Sequence, residues 1–373
     1  MKKICILTSV HSAFDVRIFH KEAKTLAEEN YEVVLIAQHP KDEIINKIKI
    51  IALPKQKSRW KKIFKTDFLL YKKALQQKAD IYHFHDPELI LWALKLKNKT
   101  GAKIIYDAHE DVPKDILSKS WIPKFIRFTV AKLFDMLEKT VSKKFDYIVT
   151  ATPGIKDNFK KHRVIDIKNY PIVKILKFSE NFLFPKNGKY YNMIYAGGPW
   201  KIRGIKETIQ SLKFIKTQYG VRLTLIGKFS EKEFEKEVKN LEEWNKVDFW
   251  GWLPPEELNK HLLMADIGVV CFLPEPNHIS AMPNKIFEYM AAGLPIIASD
   301  FPLWKKIIEE NNCGICVNPL NPKEIAEAVE YLIEHPDETK QMGKNGRKAV
   351  LEKYNWENES KKLLMIYEKL CAE

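Results

Sequence analysis

A lysine and a glutamate stand three residues apart in the stretch PNKIFEYMAAGLPIIASD, residues 283–300. Pro283 suits a first helical turn and Gly293 suits the left-handed position after a last turn, so the stretch predicts a short helix before an apolar strand. Lys285 and Glu288 then share one face near the helix start. There, a lysine can neutralise a diphosphate and a carboxylate can accept hydrogen bonds from two ribose hydroxyls. The alternative is an exposed ion pair of little energetic weight.

A glycine-containing loop, AGGPWKIRGIKE (196–207), follows an apolar strand pattern and opens a helix. Its glycines allow the backbone to approach a ligand, and Arg203 with Lys201 or Lys206 is suited to hold a phosphate. A glycine pair by itself is a common turn. The prediction is therefore stronger if this loop lies close to the 283–292 helix.

Polar side chains also gather in two loops of the first half. His11, Asp15 and Arg17 lie between the first strand and the first helix, where they are suited to contact a ligand. The alternative is that Asp15 only caps the helix. His109 and Glu110 follow YDA at the end of another strand, and either can act as an acid, a base or a hydrogen-bond partner near neutral pH.

Metal-binding patterns are weak. His83 and His85 are expected on opposite faces of a strand, which would make them poor ligands for one ion, and Pro113 excludes an H-E-x-x-H zinc helix. The C-x-x-C of Cys313 and Cys316 has no second pair at zinc-site spacing. We therefore expect no metal site.

The scaffold for these side chains follows from the alternation of apolar runs with helical patterns, which predicts a parallel sheet in each half. We expect an α/β protein with two Rossmann-like domains, 1–170 and 171–355, facing each other across a cleft, and a final helix at 356–373 that can pack back on the first domain. Ligands of such sheets bind beyond the carboxyl ends of the strands. The predicted strands are 3–8, 31–37, 48–53, 80–85, 103–108, 146–151, 191–197, 221–227, 247–252, 266–272, 295–299 and 314–318.

Composition restricts the class of protein. The 373 residues are 45% apolar and 12% aromatic, which is typical of a globular chain. Scattered cysteines favour a reducing cytoplasm, and the first residues resemble a buried strand more than a signal peptide. The net charge is +14, and residues 1–170 carry all of it with 34 basic and 20 acidic side chains.

Two basic stretches, 55–78 and 119–144, mix lysines with Trp, Phe, Leu and Ile at roughly helical spacing. This pattern favours helices that lie on an anionic membrane. The alternative is that each helix buries its apolar face in its own domain. Nucleic acid is a further class of anionic partner. The sequence contains no RNP, KH or zinc-finger motif, so we do not expect the protein to bind nucleic acid.

The order of elements, the G-G-x-x-x-x-R-G loop and the stretch FEYMAAGLPIIAS resemble the GT-B glycosyltransferases of family 4, as do HSAFDVRIFHKEAKTLAE and YDAHED to a lesser degree. The resemblance implies a retaining transfer of sugar from a nucleotide-sugar donor, with no required metal. It implies that the second domain holds the nucleotide. The first domain, with His11, Asp15 and Arg17, then holds the acceptor.

The resemblance also implies individual roles. Glu288 corresponds to the residue that binds the ribose, and Arg203 to the residue that contacts the diphosphate. His109 corresponds to a histidine near the reacting sugar. Trp252 and Leu253 lie where the loop of the family meets the base.

Two positions depart from the pattern of the family. Ser280 stands where a glutamate touches the donor sugar, and Gly198 stands where a second basic residue is expected. The backbone amides of Ala281 and Met282 can then contact the sugar or phosphate, and Lys285 can replace the missing cation.

The sequence therefore predicts a metal-independent glycosyltransferase without a cofactor, in the cytoplasm or on the inner face of the cell membrane. We expect it to move a sugar from a nucleotide-sugar donor to a glycan or lipid-linked acceptor in surface polysaccharide synthesis. A nucleotide-sugar 2-epimerase of GT-B fold, a basic nucleic-acid-binding protein and a non-catalytic relative are the alternatives.

Overall fold

The computed structural model describes residues 1–55, 65–109, 111–118, 122–159, 162–173 and 188–372. The chain forms two compact units. Unit 1 contains Met1–Asn169 and Trp356–Glu373, and unit 2 contains Tyr170–Asn355. Among the helices within these described ranges, none is both long enough and apolar enough to cross a bilayer.

In the described part of unit 1, eight strands form one sheet: β1 (Lys3–Ser12), β2 (Glu32–Gln38), β3 (Glu43–Ile45), β4 (Ile48–Leu53), β5 (Ile81–Phe84), β6 (Lys103–Ala108), β7 (Tyr147–Thr150) and β8 (Val164–Asp166). Their order is β3-β4-β2-β1-β5-β6-β7-β8. Only β3 runs antiparallel to its neighbour β4. The central strands are buried on both faces, as expected from their nearly continuous apolar sequences.

Helices cover this sheet because parallel strands need crossover connections. They comprise a π-helical stretch (Val16–Ala23), α1 (Lys24–Glu28), α2 (Asp67–Gln77), a 3₁₀ turn (Pro87–Leu89), α3 (Ile90–Thr100), α4 (Val112–Ser118), α5 (Lys124–Ser142) and α6 (Pro153–Asn158).

The C-terminal helix (Trp356–Ala372) packs into unit 1. The indole N–H of Trp356 donates to Oγ1 of Thr25 at 3.0 Å. The Tyr367 hydroxyl lies 2.7 Å from Nδ1 of the buried His83. The end of the chain thus completes the core of the first unit.

Unit 2 contains a second parallel sheet in the order β11-β10-β9-β12-β13-β14, formed by β9 (Tyr190–Ala196), β10 (Gly220–Ile226), β11 (Val247–Gly251), β12 (Ile267–Val270), β13 (Ile296–Ser299) and β14 (Gly314–Val317). Its α-helices are α7 (Ile205–Ser211), α8 (Lys232–Lys239), α9 (Pro255–Met264), α10 (Pro276–Ile279), α11 (Asn284–Ala291), α12 (Pro302–Glu310), α13 (Pro322–Glu334) and α14 (Pro336–Glu352), with 3₁₀ turns at Lys201–Arg203 and Glu242–Lys246. All strand pairs of this sheet are parallel, so their carboxyl ends share one edge.

Candidate functional site

In unit 2, the side chain of Lys285 packs directly against Gly197, the residue that follows β9. A β-carbon added to Gly197 would lie 2.1 Å from Cε and 2.5 Å from Nζ of Lys285. Gly197 also has a φ of +149°, a conformation that residues with side chains rarely adopt. The carbonyl of the next residue, Gly198, accepts a hydrogen bond from the Tyr195 hydroxyl at 3.1 Å, which holds the loop in place. Glycine at position 197 therefore lets Lys285 reach the loop after β9.

The guanidinium of Arg203 stacks on aromatic rings next to this loop. Its Cζ lies 4.2 Å from the centroid of the Phe272 ring and 5.3 Å from that of the Trp200 ring. Its Nε is buried without a hydrogen-bond partner among the described residues. Within the same residues, no carboxylate lies within 4.0 Å of Arg203 or Lys285.

Burial acts on both cations. It lowers the pKa of Lys285, an effect that Glu288 opposes and Arg203 reinforces. Burial also lowers the pKa of Arg203. Cations that lose hydration without a paired anion are destabilised. A diphosphate placed between them would restore the missing counter-charge.

Helix α11 presents Lys285 and Glu288 from a fixed position. The N–H of Ala196 donates to the Tyr289 hydroxyl at 2.8 Å, and this bond ties the helix to the end of β9. Lys285 and Glu288 are both half-buried. They do not pair within 4.0 Å, which disfavours the alternative of an exposed ion pair.

The segment before α11 corrects one prediction. The N–H of Ala281 donates to the His278 carbonyl at 3.2 Å, so this amide is already engaged and does not offer a hydrogen bond to a ligand. Oγ of Ser280 donates to the Pro276 carbonyl at 3.3 Å. Met282 is partly buried and packs against the core of unit 2.

Other residues of unit 2 differ in how accessible they are. Nζ of Lys206 lies 2.5 Å from a carboxylate oxygen of Glu237, so its charge is already paired and it is a poor candidate for phosphate binding. Trp252 follows β11 and is 72% exposed. Leu253 packs partly against the core. Trp252 therefore offers a free aromatic face, whereas Leu253 offers little.

In unit 1, His11 and Asp15 lie together at the start of the π-helical stretch. Asp15 caps this stretch and accepts hydrogen bonds from the N–H groups of Arg17 (2.8 Å) and Ile18 (3.0 Å). Burial alone would raise the pKa of Asp15, but hydrogen bonds from His11 and these N–H groups hold it at about 2. His11 is partly exposed, with Nδ1 3.6 Å from Asp15 and Nε2 3.7 Å from the buried Asp86.

Arg17 does not have the role that the sequence suggested. Its guanidinium is buried, and Nε donates to Oδ2 of Asp107 at 2.8 Å while Nη1 donates to the Ile167 carbonyl at 3.1 Å. Nε also lies 3.0 Å from Oε1 of Glu22. Arg17 is thus enclosed by the core of unit 1 and cannot contact an acceptor there.

His109 lies just after β6 and is partly exposed. Its ring centroid is 5.6 Å from that of His11 and 6.0 Å from that of His85. Its Nδ1 is 3.6 Å from Oδ1 of Asp107. Glu110, the second predicted catalytic residue, lies outside the described residues.

His83 and His85 lie on the same face, contrary to the prediction, because residues two apart on a strand project from one side. Their rings stack with centroids 4.8 Å apart. Together with Glu22 and Asp107 they bring four ligand atoms within 4.8 Å of one another, all buried. The guanidinium of Arg17 contacts both carboxylates, and its charge opposes a divalent cation at this position.

Sequence reasoning missed two residues that shape these sites. Gly197 was part of the predicted glycine pair but was not named as a site residue, although a glycine directly after a strand is a signal of close approach. Asp107 was overlooked although it stands two positions before His109 and therefore on the same side of the chain. In both cases the signal was the spacing from a residue already singled out.

Two models of known protein families match this chain, one in each half, and together they cover most of it. Residues 16–170 match the family model described as Glycosyltransferase Family 4, and residues 177–349 match the model described as Glycosyl transferases group 1. The MMP alpha-(1->4)-mannosyltransferase of Mycolicibacterium hassiacum is 21% identical over 305 residues, 79% of this chain and 72% of that protein. The capsular polysaccharide biosynthesis glycosyltransferase CapM of Staphylococcus aureus is 27% identical over 222 residues, 54% of each chain.

Solved structures share the fold over the full length. Sucrose-phosphate synthase from Thermosynechococcus elongatus has a TM-score of 0.80 at 17% identity and covers 100% of both chains. HepE from Anabaena, solved with UDP and glucose, has a TM-score of 0.75 at 14% identity and covers 99% of this chain and 100% of its own. The chain belongs to the family 4-like GT-B glycosyltransferases, which are nucleotide-sugar-dependent transferases.

Proposed function

We propose that unit 2 binds the nucleoside diphosphate part of the donor at the carboxyl edge of its sheet. Arg203 and Lys285 hold the diphosphate, and Glu288 accepts hydrogen bonds from the ribose hydroxyls. The observation that carries this proposal is the pair of desolvated cations without a carboxylate partner among the described residues. Trp252, which is exposed beside the same edge, stacks on the base.

The same two cations serve the chemistry. When the bond between the anomeric carbon and the phosphate breaks, negative charge builds up on the nucleoside diphosphate. Fixed positive groups stabilise that charge without reorganising. In many enzymes such electrostatic stabilisation is the largest contribution to the rate enhancement. Because Arg203 and Lys285 supply positive charge themselves, we propose that turnover does not require a divalent metal. We further propose retention of the anomeric configuration, as in the family that the chain resembles.

A ligand screen on a matched set of variants tests the donor site. Thermal unfolding is followed with UDP, GDP, ADP and their sugars for the parent, Glu288→Ala and Glu233→Ala, the last being an exposed glutamate on α8. A ligand at 100 times its Kd stabilises by about 2.7 kcal/mol, which is readily seen as a shift in Tm. We expect one nucleotide family to stabilise the parent and Glu233→Ala but not Glu288→Ala. Equal shifts in all three proteins would remove Glu288 from the site.

Unit 1 is proposed to bind the acceptor, a glycan or a lipid-linked sugar of surface polysaccharide synthesis. His11 is the second-to-last residue of β1 and His109 follows β6, so both imidazoles lie at the carboxyl edge of this sheet. Their ring centroids are 5.6 Å apart, a spacing that suits hydrogen bonds to neighbouring hydroxyls of one sugar. Incubation of the donor with candidate lipid-linked sugars, followed by mass spectrometry of the product, tests this proposal. An epimerised nucleotide sugar formed without any acceptor would contradict it.

Helix α5 supplies the feature that favours a lipid-linked acceptor. Phe125 is 84% exposed and Phe128 is 71% exposed, and five more large apolar residues of the same helix are exposed. The opposite face packs on unit 1 through Ala131 and the buried Glu138. Exposed lysines flank the apolar face, among them Lys124. A face that is both apolar and basic suits the surface of an anionic membrane, and we propose that the protein associates peripherally with the inner face of the cell membrane through α5.

Vesicle sedimentation tests the membrane proposal. We expect the parent to bind vesicles containing phosphatidylglycerol and to bind less well as salt rises, because screening weakens the electrostatic part. Phe125→Glu with Phe128→Glu should abolish binding. Ile44→Glu is the control, because Ile44 is 72% exposed on β3 in the same unit. Binding to arbitrary DNA with a steep salt dependence, and none to vesicles, would contradict the proposal.

A further inference from the structure

The Asp107 carboxylate lies between a buried arginine and the partly exposed His109. Its Oδ2 accepts a hydrogen bond from Nε of Arg17 at 2.8 Å and lies 2.8 Å from Nη2 of the same side chain. Its Oδ1 faces Nδ1 of His109 at 3.6 Å. Among the described residues, neither of these two facing atoms has another hydrogen-bond partner. Oδ1 of Asp107 is thus the acceptor that Nδ1 of His109 faces, whereas the raised pKa of the buried Glu22 makes that neighbouring carboxyl a second donor to Asp107.

The charge of this carboxylate decides which atom donates. Burial disfavours an ionised Asp107, but the adjacent Arg17 holds its pKa well below the usual range. An ionised carboxylate is only an acceptor, so the hydrogen must come from Nδ1 of His109. A neutral imidazole that carries its hydrogen on Nδ1 has its lone pair on Nε2.

The burial of Nδ1 leaves the other ring nitrogen of His109 for a ligand. The side chain of His109 is 19% exposed, whereas its Nδ1 is fully buried. The exposed fraction therefore belongs to other atoms of the side chain, and of the two ring nitrogens only Nε2 is left for a ligand. Asp107 itself is fully buried and cannot touch a substrate.

We propose that Asp107 is a positioning residue, which fixes the Nδ1–H tautomer of His109 and so presents the Nε2 lone pair to a substrate hydroxyl. The inference rests on the proposed substrate contact of His109. The distance of 3.6 Å shortens by about half an ångström when the hydrogen bond forms. Arg17, misassigned from the sequence as an acceptor contact, acts as the counter-ion that keeps Asp107 ionised.

The tautomer can be read directly by NMR of protein labelled with ¹⁵N in the histidine rings, at about pH 8. The His109 signals are assigned from their loss in His109→Gln. We expect the parent to show the Nδ1–H form and Asp107→Asn, whose amide can donate to Nδ1, to shift His109 toward Nε2–H. An Nε2–H form of His109 in the parent would overturn the inference, whether or not Asp107→Asn folds.

Kinetics separate the positioning role from a merely structural one. For Asp107→Asn we expect kcat to fall by about 10²-fold, the size typical of a lost proton-accepting group, with the donor KM changed less than threefold. A folded Asp107→Asn with parental kcat would overturn the positioning role. Parental kcat in His109→Gln would instead overturn the proposed substrate contact. Displacement of the His83 and His85 ring signals by added Zn²⁺ would also overturn the inference, because Asp107 would then serve a metal.

Discussion

Replacement of Glu138 by glutamine is expected to remove a pH-dependent loss of stability from unit 1. Glu138 is buried on α5, and its Oε1 accepts a hydrogen bond from the Tyr106 hydroxyl at 2.7 Å. Burial raises its pKa from the ordinary 4.5 to about 7, although the bond from Tyr106 opposes this rise. Asp135 and Asp111 raise it further through charge repulsion. Folding therefore favours the protonated carboxyl.

The sign follows from the number of bound protons. Between pH 4.5 and about 7 the folded protein retains a proton that the unfolded chain has released, so stability falls as pH rises through this window. Below the window both states are protonated, and above it both are ionised. The total loss is about 3 kcal/mol, from about 1.4 kcal/mol for each pH unit. Glutamine keeps an oxygen that accepts the hydrogen bond from Tyr106, but its side chain does not titrate in this pH range.

Thermal unfolding between about pH 4.5 and pH 8 measures the effect. We expect the parent and Glu138→Gln to unfold together at the acid end, and the variant to be more stable by about 3 kcal/mol at the alkaline end, or roughly 6 to 12 °C in Tm. Glu29→Gln, at an exposed position of the same unit, is the control. A difference between Glu138→Gln and the parent that does not vary with pH would refute the reasoning.

Three further predictions follow from single contacts. In Gly197→Ala the new methyl group displaces Lys285, so we expect nucleotide affinity by calorimetry to fall more than tenfold, and an unchanged Kd would show that Lys285 does not contact the donor. Asp15→Ala removes two cap hydrogen bonds and should cost about 1 kcal/mol in urea unfolding at neutral pH, with a smaller cost near pH 2, where about half of the folded molecules carry a protonated Asp15. Arg203→Lys loses the planar group that stacks on Phe272 and should bind nucleotide more weakly than the parent, and equal affinity would show that the guanidinium geometry is unimportant.

Much of the fold was predictable from local patterns. Each of the twelve predicted strands overlaps an observed strand, and the predicted join near 170 lies where unit 2 begins, at Tyr170. Among the described residues, the two strands that were not predicted are β3 and β8, which are only three residues long and lie at the edges of their sheet. A three-residue segment has too little periodicity to be recognised, and its pairing depends on a neighbour distant in sequence.

The candidate sites likewise contain features that local sequence predicts and features that depend on tertiary structure. Spacing alone placed Lys285 and Glu288 on one helix face, and it offered a helix cap as the alternative to a ligand contact for Asp15, because caps and helical periods depend on residues within one or two turns. Spacing did not reveal that Arg17 is buried against Asp107 or that the Ala281 amide is engaged. Whether a polar group reaches a ligand or is satisfied internally depends on which distant segments surround it. Local order along the chain therefore determined the elements and the candidate residues, whereas burial and pairing in three dimensions decided which of them remain free to act.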